Sequence, residues 1–233
     1  FRYIDHSVIG FLRSNQQIWD KGTNLYLHLH TPKTGSNVQP IWDVFVRQIW
    51  PIFTTINAHC LDFSNPGHLD TLLRLTSPTI LSDLNLSSMY SVGRFPDALG
   101  DEFDGPNSTP TTGQVLSKWL HTPRTDGRPK SLRCRCCSLY QQPNLEWISN
   151  FKETFLCATS SVSYQMNFEL LSSTQIEPFV LVNKRTNEKL TLERVSRHPV
   201  NWLLKRCPIS EKAAVQLEDE NLNSNLNNVN FVL

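Results

Sequence analysis

One grammar recurs along the first two thirds of this chain and limits what it can become. An amphipathic stretch of helical period is followed by a short break and then by a run of strand-forming residues. The first helix is expected over about Asp5–Asp20, capped by Asp5, with Val8, Phe11, Leu12 and Trp19 on one face and Gly22 ending it. A strand over Leu25–His30 follows. Further helices carry Ile41, Val44, Phe45 and Ile49 before Pro51, then Leu69, Leu72 and Leu73 behind Asn65-Pro66. Two more carry Val115, Leu116, Trp119 and Leu120, then Trp147, Ile148, Phe151 and Phe155. The strands after them are expected near Ala58–Phe63, Leu84–Val92, Ser131–Cys137 and Val162–Leu170.

The strand centres repeat at about 33, 28, 46 and 32 residues. The longest interval contains a Gly-, Pro-, Asp-, Ser- and Thr-rich loop from about Arg94 to Gly113. A period of this size, one strand and one helix per unit, predicts an α/β fold with a parallel, leucine-rich-repeat-like sheet. An open doubly wound sheet satisfies the same period.

After Leu171 helices give way to strands. Phe179–Arg185, a turn at Thr186-Asn187-Glu188 and Lys189–Val195 predict a hairpin, and Asn201–Cys207 a third strand. The expected organisation is a strand–helix repeat domain over 1–172. A small antiparallel meander with a polar C-terminal segment follows over 173–233, the two packed as one unit. Glu211–Asn228 is polar and Asn-rich, and Val229–Leu233 is suited to a last strand.

Charge and cysteine usage exclude several functions. Twenty-two basic residues against twenty-one acidic ones give a net charge of +1, which supplies no field for nucleic acid or an anionic membrane. No apolar run reaches the roughly 20 residues of a membrane span. Six cysteines lie at 60, 134, 136, 137, 157 and 207. That usage suits reduced thiols, and cytoplasmic or nuclear residence is expected. The chain opens at Phe1 with neither initiator Met nor signal-peptide pattern, and is read as a fragment or isolated domain.

No phosphate-binding glycine loop, nucleophile elbow or His-Glu-x-x-His motif occurs. Cys134, Cys136 and Cys137 with His121 are the best soft-ligand set, but Leu132, Cys134 and Cys136 alternate on one strand face, which suits small hydrophobes in a core. Asp97, Asp101, Glu102 and Asp104 lack the alternation that wraps calcium. Neither a metal, a cofactor nor a catalytic residue is therefore expected. An α/β enzyme assembled from distant residues is a third reading, behind two binding roles.

Several stretches resemble a large family of nematode F-box proteins, in the region after the F-box. They are Phe1–Asp5 with Val8, Ile9, Phe11 and Leu12; Ile49-Trp50-Pro51; Leu75–Leu81; and Ser117–Pro123 running to Asp126-Gly127-x-Pro129-Lys130. Asn150–Glu153 with Phe155, Ala158-Thr159-Ser160, Glu177-Pro178-Phe179, Glu188–Leu192 and Trp202–Ile209 continue the match. Their order and spacing cover nearly the whole chain. The resemblance implies a non-catalytic substrate-recognition part of a cullin-type ubiquitin ligase, binding a protein substrate. A Skp-type adaptor and the cullin would be reached only through an F-box that this chain lacks. The alternative is a free-standing interaction domain or secreted effector. An F-box upstream of Phe1 in the full gene product decides for the first, a signal peptide for the second.

If helices cover one face of the sheet, alternation leaves the other for a partner. Tyr26, His28, His30, Asp62, Asn85, Arg133, Arg135, Gln165, Asn167 and Glu169 are the residues expected there. Tyr and Arg suit such a surface, being common hot spots.

Overall fold

A computed structural model describes residues 6–14, 25–28, 39–51, 60–63, 66–77, 79–83, 86–97, 110–135, 146–170, 176–196, 200–209 and 229–232. The elements run α1 (His6–Ser14), β1 (Leu25–His28) and α2 (Gln39–Val44), which passes into a π-helical segment, Phe45–Ile49. Then come β2 (Cys60–Phe63), α3 (Pro66–Leu75), α4 (Ile80–Asp83), β3 (Ser88–Val92), α5 (Thr112–His121), β4 (Lys130–Arg135) and α6 (Glu146–Cys157). Five strands complete the order: β5 (Tyr164–Leu170), β6 (Phe179–Asn183), β7 (Glu188–Ser196), β8 (Val200–Pro208) and β9 (Val229–Val232).

The strands form a mixed sheet of seven in the order β2-β3-β4-β5-β8-β7-β6. β2 to β5 are parallel, as strands linked through helices must be if the chain enters each from the same end. β8 then runs antiparallel to β5, and β7 and β6 continue antiparallel. The meander is thus not a second layer; it extends the same sheet in plane.

Register shows why this edge-to-edge order is stable. Leu61, Met89, Leu132, Met166, Leu204 and Leu192 are opposite one another in successive strands, and each is at most 1% exposed. This row, with Phe63, Cys134, Phe168 and Trp202 beside it, forms one core with the apolar stripes of the helices. Leu69, Leu72 and Leu73 of α3, Leu116, Trp119 and Leu120 of α5, and Trp147, Phe151 and Phe155 of α6 are all buried. Their three- and four-residue spacing places them on the stripes expected.

Helix ends follow local chemistry. Pro66 occupies the first position of α3, where its missing N–H costs nothing. Thr111 caps α5: its hydroxyl accepts from the Gln114 N–H, and the Gln114 side chain accepts from the Thr111 N–H. Asn183 closes α6 from another element, donating to the carbonyls of Phe155 and Ala158. Its own carbonyl oxygen accepts from the N–H groups of Arg185 and Thr186, shaping the β6–β7 turn in which Asn187 takes φ of 56°.

Three expectations need correction. β1 does not open the parallel sheet. It lies alongside β2, but its ladder is with β9, in parallel, Leu25 opposite Val229. Local periodicity identifies a strand but carries no information on a partner so distant in sequence. In α1 Ile9 is buried at 5% while Phe11 is 58% exposed, so the packed stripe includes Ile9 rather than Phe11. The hairpin turn is shifted as well. It occupies 184–187, so Glu188 opens β7 as a buried strand residue. The tail 211–228, most of the acidic loop, Cys136 and Cys137 lie outside the described residues.

Candidate functional site: the polar face of the sheet

The pleat that sends Leu132 and Cys134 into the core sends Arg133 and Arg135 to the other face. There Asp62, Tyr90, Arg133, Asn167 and Leu203 form a continuous cross-strand row, with Ser131 and Gln165 beside them. The Arg133 guanidinium lies 5.8 Å from the centre of the Tyr90 ring, within cation–π range. Glu169 is the anchor of the cluster. Its side chain is only 15% exposed and reaches Arg135 at 3.2 Å and Arg133 at 3.7 Å, while the two arginines are 61% and 63% exposed. Tyr90 and Glu169 beside Arg135 raise its pKa still further above the ordinary value, so its charge is fixed. Gln165 donates to the Ser131 hydroxyl at 3.3 Å.

Two guanidiniums are therefore held at one edge by a carboxylate and an aromatic ring, with the rest of their donors turned to solvent. Such an arrangement recognises carboxylates and carbonyls through directed N–H donors.

Of the ten residues expected on this face, Arg133, Arg135, Gln165, Asn167, Glu169 and Asp62 are brought together here. Tyr26 and His28 belong to β1, in the separate two-stranded ladder. His30 and Asn85 lie outside the described residues. Tyr90 was not among the ten. A strand alternating from Leu84 would put Tyr90 on the side of Leu86, but pairing begins at Ser88 and it is Met89 that is buried, so Tyr90 stands on the opposite face. Leu86, Met89 and Ser91 are all buried, so hydropathy alone does not mark the face on which Tyr90 stands.

The core side of the sheet holds a second polar cluster, enclosed rather than open. Lys130, Tyr164 and Arg206 are successive partners across β4, β5 and β8, and all are buried. Arg206 pairs with Glu188 at 2.7 Å and donates to the Ser160 carbonyl. Glu188 also accepts from the Ser161 hydroxyl and the Val162 N–H. Burial pushes the Glu188 carboxyl up, but the hydrogen bonds from Arg206 and Ser161 outweigh it and hold its pKa below the usual range. Lys130 donates to the Trp119 carbonyl, and burial lowers its pKa to about 8. His121 bonds through Nδ1 to the Ser117 carbonyl and through Nε2 to the Tyr164 hydroxyl at 3.3 Å. Burial lowers its pKa to about 4, so it is neutral, its Nδ1–H donating and its Nε2 accepting. These side chains bond to one another and to backbone carbonyls, so the cluster ties α5, β4, β5, β7 and β8 together.

Of the soft-ligand set, His121 and Cys134 are among the described residues. His121 belongs to the buried cluster, and Cys134 is fully buried with its thiol pKa pushed up by desolvation. Cys134, Cys157 and Cys207 are free thiols. Asp97 accepts from the Thr111 hydroxyl at 2.5 Å, pinning the base of the long loop. Among the described residues no three His, Cys, Asp or Glu side chains gather, and no helix is long and apolar enough to cross a membrane. A shallow groove of about 520 Å³ lies at the β6–β7 hairpin, between Phe179, Val180, Thr191 and Lys205.

Comparison with protein families, with curated proteins and with solved structures finds no match.

Proposed function

We propose that this chain is a non-catalytic protein-binding domain whose partner docks on the polar face of the sheet around Tyr90, Arg133 and Arg135. The observation that carries this reading is the pair of exposed guanidiniums fixed by a nearly buried Glu169. Pre-ordered arginines lose less side-chain entropy on binding than free ones, and Tyr and Arg are enriched among hot spots. β2 to β5 follow chain order across the sheet, with helices between them. This supports a leucine-rich-repeat-like first part, in which such a face is the binding surface. The resemblance of the sequence to the post-F-box region of nematode F-box proteins supplies the context: the bound protein would be a substrate presented to a cullin-type ubiquitin ligase.

The test is crosslinking and affinity capture with the full-length protein, native and with Tyr90, Arg133 and Arg135 all changed to Ala. All three lie off the core face, so the variant should melt within a few degrees of the native protein. Loss of the native protein's specific partners, with the fold intact by circular dichroism, supports the reading. Unchanged capture moves the site elsewhere. Ubiquitination of a captured partner by a reconstituted ligase tests the second half.

A further inference from the structure

We infer that β6 is a self-pairing edge, through which two copies of this chain join their sheets into one. β6 is the last strand of the seven, bonded to β7 on one side only. Among the described residues no strand or backbone group pairs with its outer side. An open row of N–H and C=O groups is a template for another strand, and natural sheets blunt it with charge, proline or a bulge. Phe179–Asn183 contains none of these; the one bulge nearby lies in β7, between Arg194 and Ser196.

The sequence of the edge identifies a second copy as its occupant. Antiparallel pairing about Leu181 sets Val180 of one chain opposite Val182 of the other, twice by symmetry, as an isologous contact requires. These two valines are 68% and 49% exposed, and both stand on the polar face of the sheet. Buried against each other, they stop being a liability. Charge completes the match. Exposed Glu177 precedes the strand, and exposed Lys184 and Arg185 follow it. The same register brings Glu177 of each chain to the basic end of its partner. None of the three has an ion-pair partner among the described residues. Parallel pairing would instead place like charges together at both ends. One paired strand covers less than the area of a standard stable interface, so the dimer is weak and concentration-dependent. The inference stands apart from the docking face at Arg133 and does not depend on it.

Sedimentation equilibrium of the whole chain, up to about 1 mM, is the test. A monomer–dimer equilibrium is expected, with amide exchange in 179–183 slowing as concentration rises. Changing Val180 and Val182 together to Lys should abolish dimerisation while leaving the circular dichroism unchanged. Glu177→Arg alone should weaken it about tenfold, and so should Arg185→Glu alone, while the two combined restore it to within about threefold. A chain monomeric throughout that range overturns the inference, whether or not the edge accepts strands from other proteins. So does a dimer indifferent to these substitutions.

Discussion

Glu188 shows how one residue can be misplaced by a single turn and change its role entirely. Read as a turn residue, it belongs in solvent; as the first residue of β7 it is fully buried and held by Arg206, Ser161 and Val162. Removing one member of such a pair strands a charge, so Glu188→Ala should cost about 3–5 kcal/mol in chemical denaturation. Replacing Glu188 by Leu and Arg206 by Met together should recover much of that loss. His121 makes a pH-dependent contribution. Its folded pKa, about 4, lies below its unfolded value of 6.5, so between these the unfolded chain binds the extra proton. Stability is complete above pH 6.5 and falls, by up to about 3 kcal/mol, as pH drops to 4. Glu188, whose pKa is also depressed, adds to the loss below its usual range. Denaturation midpoints across this window, compared with those of His121→Phe, will show whether His121 carries the slope. None of this network was legible in the sequence, because Lys130, Tyr164, Arg206 and Glu188 meet only through strand register.

The helices were the most legible elements. For α3, α5 and α6 the apolar spacing alone gave the buried residues, from Leu69 to Phe155. Trp119→Ala or Phe151→Ala should cost about 3–5 kcal/mol, since both are at most 2% exposed. A melting temperature that hardly changed would contradict this packing. Boundaries were harder to read. α5 begins where Thr111 and Gln114 cap each other, a signal hidden inside a loop rich in Thr and Pro. Thr111→Ala should cost about 1 kcal/mol. It should also loosen the loop base, because it removes the hydroxyl that holds Asp97. Strands were legible as alternation but not as order. The Leu132–Arg133–Cys134–Arg135 pattern fixed which arginines leave the core, and hence most of the candidate face. That Tyr90 joins them depended on where β3 begins, which alternation does not mark.

At the scale of the molecule, the change from helix-linked strands to a meander near residue 172 is a change of connection within one sheet. β8 covers the edge of β5 through Tyr164–Leu170, and Trp202, Leu204 and Arg206 complete its core. A chain ending at residue 172 should therefore fail to fold, exposing the edge of β5 and the faces of Met166 and Phe168; a cooperative melt of that piece would contradict the shared core. The pairing of β1 with β9 has a consequence for how the protein is made. The partners are about 200 residues apart in sequence, so on the ribosome Leu25–His28 emerges roughly 10–40 s before Val229–Val232 exists. Through that interval an early strand has to wait, unladdered, while the seven-stranded sheet assembles beside it. Any chain stopped before residue 229 keeps that strand unfastened, and so carries at its beginning a visible mark of an unfinished end.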